Sequence, residues 1–156
     1  YLPLSATLTT DEIYSAFYGE TGKLFIHSHS YSANPLACAV ANETLKLLTE
    51  NNFLESLKPK IAALKEYGKQ FDSMEGEFRQ TGMIAALELT KKKKERFAAE
   101  KRVGYQIFLE GLKRGLFLRP LGDVVYFIPP LVITEEEIAV MLNTAHDCIN
   151  TVLKCH

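Results

Sequence analysis

Arg119, set between Leu118 and Pro120 in the run Leu118-Arg-Pro-Leu-Gly122, is the side chain in this sequence best placed for binding chemistry. A guanidinium between apolar neighbours at the end of an extended segment is costly unless an anion meets it. Its planar fork suits a carboxylate, which it grips through two parallel hydrogen bonds that a lysine does not reproduce. Tyr126 follows on the next apolar segment, which Pro129-Pro130 stops. A second cluster, Ser28-His-Ser-Tyr-Ser32, lies just ahead of Asn34-Pro35. Hydroxyls and backbone N–H groups in a loop that leads into a helix are donors for an anion.

Read by themselves, these residues leave plainer alternatives open. Arg119 also fits a structural salt bridge to a neighbouring Asp or Glu, and Tyr126 a half-buried core tyrosine. Ser28 to Ser32 also fits a solvated turn that caps the following helix. Tyr31, His27 and His146 read as structural. Cys38, Cys148 and Cys155 are an odd number without CxxC spacing, which argues for free thiols and against a disulfide framework or zinc site.

The elements that position these residues follow from caps and periodicity. Thr9-Thr-Asp-Glu12 reads as a capping box that opens a short helix over 10–17. Gly19 to Gly22 ends it, and Lys23 to His27 reads as an extended apolar segment. Asn34 as N-cap and Pro35 at the first helical position predict a helix over 35–49. Its small residues Ala37, Cys38, Ala39 and Ala41 predict a buried helix. A helix over 53–71 carries Leu54, Leu57, Ile61, Leu64 and Gly68 on one stripe. Phe78 to Leu89 reads as a pair of short strands, or as one strand broken at Gly82.

A helix over 100–114 ends at Gly115, and strands 116–120 and 124–128 flank a turn at Leu121 to Asp123. Thr134-Glu-Glu-Glu137 is a second capping box, opening a helix to about Leu153. The order helix, helix, strands, helix, hairpin, helix is that of an α+β layer with helices on one face. With 156 residues, 47% hydrophobic content and net charge −1, the chain suffices for one ordinary domain. The basic run Lys91 to Lys94 with Arg96, Lys101 and Arg102 is offset by acidic residues elsewhere and reads as a solvated loop and helix start, so no nucleic-acid partner is expected. No apolar run reaches the roughly 20 residues of a membrane span, so no membrane partner is expected and a cytoplasmic location is.

Four ordered stretches, together spanning almost the whole chain, carry a family resemblance. Tyr1-Leu-Pro-Leu4 with Thr7 to Ile13 resembles the strand and helix that follow the cofactor-bearing lysine of class III pyridoxal-phosphate aminotransferases. His27 to Ala39 is similar to that family's loop-to-helix motif, Arg79 to Gly82 with Glu88-Leu89 to a strand pair of its C-terminal domain, and Leu118 to Gly122 with Tyr126 and Pro129-Pro130 to its substrate-binding hairpin. The nearest likeness is to the branch that serves biotin biosynthesis.

The resemblance implies the C-terminal part of a fold-type I PLP-dependent transferase, with 1–50 the end of the large domain and a connecting helix, and 51–156 a small α+β domain. It implies pyridoxal 5'-phosphate as cofactor, with the Ser30 hydroxyl and the His29 backbone N–H at its phosphate across a homodimer interface and an active site shared between subunits. It implies that Arg119 holds the carboxylate of a keto-acid substrate, 8-amino-7-oxononanoate, with Ser28 and Tyr126 shaping the pocket. The amino donor would be S-adenosylmethionine or, in some lineages, lysine.

The abrupt start at Tyr1 reads as a cut through a larger protein. The family's Schiff-base lysine, the aspartate that pairs with the pyridine nitrogen and the ring-stacking aromatic have no match here. No catalytic residue and no metal ligand is therefore expected in this chain, and the chain alone is expected to be inactive. Arg79 and Glu88 are expected to hold the small domain together. The alternatives are another class III enzyme, acting on ornithine or 4-aminobutyrate, and a non-catalytic α+β interaction or ligand-sensing domain.

Overall fold

The computed structural model describes residues 2–91 and 95–155; Tyr1, Lys92 to Lys94 and His156, with the expectations placed on them, lie outside the described residues. The chain divides into two compact units, one ending at Phe53 and the other beginning at Leu54.

In the first unit, helix α1 (Asp11–Ser15) starts one residue later than the predicted capping box requires. Thr10 is the N-cap, its hydroxyl accepting from Ile13 N–H at 3.4 Å, and the N3 position that this cap assigns holds Ile13, with no carboxylate to reach back. Lys23 ends a 3₁₀ turn and residues 24–27 form no strand, His27 N–H bonding the Phe25 carbonyl at 3.0 Å, so the expected extended segment is not formed as such. Helix α2 (Pro35–Thr49) begins where its signals put it: the Asn34 side chain accepts from Leu36 and Ala37 N–H at 3.0 and 3.2 Å.

The expected burial of α2 does not hold within its unit. Ala37 is buried, but Leu36, Val40, Leu45 and Leu47 are exposed. Small residues permit a close neighbour without supplying one.

The second unit is built on a three-stranded antiparallel sheet, order β1 (Gly76–Thr81), β2 (Ile84–Leu89), β3 (Val124–Phe127). The turn between β1 and β2 falls at Gly82, whose φ of 55° is left-handed backbone that glycine adopts at little cost. Alternation sends Ala85, Leu87 and Leu89 of β2 and Val125 and Phe127 of β3 into the core. Helices α3 (Phe53–Gly68), α4 (Val103–Lys113) and α5 (Glu135–Leu153) contribute Leu64, Ile107, Leu142 and Ile149 to the same core. This is the expected α+β arrangement.

The other face of the sheet is polar. Arg79, Ala86 and Tyr126 stand in register across it, and Arg79 Nη1 donates to Glu88 Oε2 at 3.0 Å, tying β1 to β2 as expected. Helix α3 stops at Gly68 and continues as a 3₁₀ turn to Ser73, shorter than the predicted helix. A side chain at Gly68 would collide with the Phe78 ring, so the last turn sits directly on β1.

Residues 116–120 do not form the predicted strand. Val124 pairs instead with Glu88 of β2, and Leu121 and Val124 close a tight turn through bonds of 2.8 and 3.0 Å. Leu116 N–H is used on the Gly111 carbonyl, and Pro120 has no N–H to give to a ladder. Helix α4 begins at Val103, later than predicted, because Arg102 takes a left-handed φ of 46° that separates it from the preceding 3₁₀ turn. The Thr134–Glu137 capping box of α5 is present in full, with bonds of 2.8 and 3.1 Å.

Two measurements test these packing relations. Leu87 is fully buried, and Leu87→Ala is expected to cost about 2–5 kcal/mol by urea unfolding. Hydrogen bonds from Lys113 and Arg114 hold the Glu110 carboxylate below its usual range, and Arg114 also reaches Thr151 of α5 at 3.0 Å. A depressed carboxylate contributes stability above the ordinary Glu range and loses it as pH falls through the folded value. Glu110→Gln is therefore expected to flatten the acid-side fall of the thermal midpoint, measured from neutral pH downward.

Candidate binding sites in the two units

In the first unit, Ser28, His29 and Ser30 lie on an exposed loop that closes as a turn, Ser32 N–H bonding the His29 carbonyl at 3.0 Å. His29 N–H faces Ser32 Oγ at 3.5 Å, so it has a long internal partner. The Ser30 hydroxyl and the N–H groups of Ser30 and Tyr31 have no hydrogen-bond partner among the described residues. These three donors fit an anion such as a phosphate.

The first turn of α2 offers less than its position suggests. Asn34 already satisfies Leu36 and Ala37 N–H through its side chain and Cys38 N–H through its carbonyl. The usable donors therefore sit in the turn, and Tyr31 N–H is one that sequence reasoning missed. Ala33, at a left-handed φ of 56°, turns the chain sharply from this loop into the cap. Ser28 is exposed beside the Phe25–His27 ring pair, whose centroids are 5.6 Å apart.

In the second unit, one pocket of about 870 Å³ takes in both Arg119 and Tyr126. It is lined by Glu88 near the end of β2, Val124 at the start of β3, residues of 96–108 and the segment 117–123. Alternation along that segment buries Leu118 and leaves Phe117 and Arg119 exposed, so the buried leucine anchors the arginine.

The start of α4 lies against the turn that follows Arg119. A side chain at Gly104 would collide with the Gly122 carbonyl and stand 2.9 Å from Pro120 Cβ. Only a glycine lets the two backbones approach so closely.

Arg119 makes no ion pair among the described residues, so none of their carboxylates supplies the structural salt bridge that its sequence context also allowed. Tyr126 is half-buried on the polar face of the sheet, opposite Ala86. The pocket also holds Arg96 and Arg102, which sequence reasoning had assigned to a solvated basic run. The available signal was the break at Arg102-Val-Gly104, where a glycine follows a charged residue at a helix start.

Cys148 is the buried thiol, and burial pushes its pKa up, which makes it unreactive; Cys38 and Cys155 are exposed and free. Among the described residues no group of His, Cys, Asp or Glu is arranged to hold a metal.

The family profile described as aminotransferase class-III matches residues 2–149. An adenosylmethionine-8-amino-7-oxononanoate aminotransferase from Aquifex aeolicus is 45% identical over 150 residues, covering 92% of this chain and 33% of the relative. The crystal structure of the enzyme of that name from Methanocaldococcus jannaschii superposes with a TM-score of 0.89 at 37% identity, over 97% of this chain and 36% of that one. An aminotransferase from Vibrio fluvialis in its PMP-bound form superposes with a TM-score of 0.76 at 27% identity, over 83% of this chain and 30% of that one. The chain thus spans about a third of the length of the curated relatives it matches. With its profile match, its similar relatives and its α+β fold in agreement, this chain belongs to the class-III aminotransferases.

Proposed function

We propose that these residues are the C-terminal part of a pyridoxal-phosphate enzyme that transfers an amino group to 8-amino-7-oxononanoate, giving 7,8-diaminononanoate for biotin biosynthesis. The observation that carries the reading is Arg119, an arginine without an acidic partner at the mouth of a pocket it shares with Tyr126. S-adenosylmethionine is the amino donor in this reading, which the word adenosylmethionine in the similar relatives' names supports.

Each residue has a role set by its chemistry. Arg119 takes the keto-acid carboxylate in a bidentate grip and so fixes the distance from the chain's end to the carbonyl. The Tyr126 ring bounds the pocket, and its hydroxyl donates to substrate. The Ser30 hydroxyl, with the N–H groups around it, holds the 5'-phosphate, and Ser28 borders the pocket. Pyridoxal phosphate, when bound, supplies the electron sink through which the amino group is exchanged. The lysine that carries it belongs to the rest of the protein.

The first unit would close the large domain and lead into the small one, and Ser30 would serve the cofactor of the second subunit of a homodimer. The apolar side chains that α2 exposes are surface for the rest of the protein and that subunit to cover. A cytoplasmic location is part of this reading, in keeping with the free thiols Cys38 and Cys155. No helix among the described residues is long and apolar enough to cross a membrane.

The test is the absorbance spectrum of the whole protein with pyridoxal phosphate. Conversion of the cofactor band by S-adenosylmethionine and its return with 8-amino-7-oxononanoate is the expected result; a band that neither compound moves excludes that substrate pair. Arg119→Ala is expected to raise the KM for the keto acid about 10- to 100-fold, the loss of one charge-assisted contact, with the cofactor spectrum unchanged. Ser30→Ala is expected to weaken cofactor retention several-fold with KM little changed.

A further inference from the structure

The sequence has five arginines, and the described residues sort them into two groups. Arg79 pairs with Glu88 at 3.0 Å and Arg114 with Glu110 at 3.1 Å. Arg96, Arg102 and Arg119 have no acidic partner among the described residues, and all three line the same pocket. The acidic residues there are Glu88, already held by Arg79, and Asp123. The pocket therefore carries more positive charge than one carboxylate at Arg119 would neutralise.

Arg102 is also held in place. Its guanidinium lies 4.2 Å from the centre of the Tyr105 ring, and its φ of 46° is backbone that an L residue adopts at a cost. Stacking occupies the face of a guanidinium and leaves its in-plane N–H donors for an anion. Tyr105, Phe108 and Phe117 form a continuous aromatic wall in the same pocket, with centroid separations of 5.9 and 5.5 Å, suited to an aliphatic chain.

We propose that Arg102, supported by Arg96, is a second anion contact of this pocket, which then takes an aliphatic dicarboxylate with one carboxylate at Arg119 and the other at Arg102. The inference rests on the reading of Arg119 as a carboxylate-binding residue. It adds a ligand class, a dianion that competes with a monocarboxylate substrate for the same arginine.

Isothermal titration calorimetry on the whole protein at low ionic strength, with hexanoate and hexanedioate as probes, tests it. Hexanedioate is expected to bind about tenfold more tightly, the contribution of one further charge-assisted contact at a partly exposed site. Added salt is expected to shrink that advantage. Arg102→Met is expected to abolish the advantage by weakening hexanedioate far more than hexanoate, while Arg102→Lys keeps part of it. Arg96→Gln, in an exposed segment, reduces it without touching α4 and is the second variant should Arg102→Met fail to fold by circular dichroism. No preference for the dicarboxylate in the unaltered protein, or a preference that both Arg102→Met and Arg96→Gln leave intact, overturns the second contact. Arg119→Met weakens both probes if Arg119 binds carboxylates; binding of both unchanged by that variant refutes the reading of Arg119 itself.

Discussion

Burial of the inner face of the small sheet is the constraint on which the second unit depends. Ala85, Leu87 and Leu89 of β2 and Val125 and Phe127 of β3 all point into the core that α3, α4 and α5 fill. A register slip of one residue would turn this set out to solvent and bring Glu88 and Tyr126 inside, so the pairing has one workable solution. With β3 held to β2, the tight turn at Gly122 has to form where it does, and the carbonyl of that turn meets Gly104 at the start of α4. Arg119 is positioned by this chain of contacts, two residues beyond the exposed Phe117 and next to the buried Leu118.

The pairing of charges carries the functional argument. On the polar face of the sheet and along α4, arginines sit beside glutamates at hydrogen-bonding distance, and exposed pairs of this kind contribute little stability each. Arginines left without such partners are informative when they cluster in one concave place. Arg96 and Arg102 come from one stretch of chain and Arg119 from another, so folding brings the two together. An aromatic wall beside them lowers the local dielectric and strengthens any contact they make with an anion.

The first unit obeys a different balance. Its backbone is well capped, with Asn34 satisfying the start of α2, yet its apolar side chains are mostly exposed, among them Ile26 and Leu8 at 88% and 90%. Apolar surface of this extent marks a contact face. The turn at Ser30 keeps its donors uncommitted because Asn34 serves the helix on its own and leaves the turn no structural task.

What the sequence determined by itself was local. Asn34-Pro35 and the Thr134–Glu137 box set the starts of α2 and α5 because each cap acts within four residues. Gly82 divided β1 from β2 because a left-handed turn favours glycine wherever it occurs. The motif around Arg119 was legible too, since an arginine between apolar neighbours stands out in any fold. Tertiary structure decided the rest. Residues 116–120 stay out of the sheet because the Leu116 N–H is taken by the Gly111 carbonyl and Pro120 has no N–H to give, so beyond the turn only Leu121 bridges to β3. Arg96 and Arg102 joined Arg119 only when the start of α4 packed on the Gly122 turn, and in the sequence their charges merge with a lysine run. The exposure of α2 was hidden for a like reason: its composition says that it suits a close neighbour, but whether one is present depends on chain that lies elsewhere.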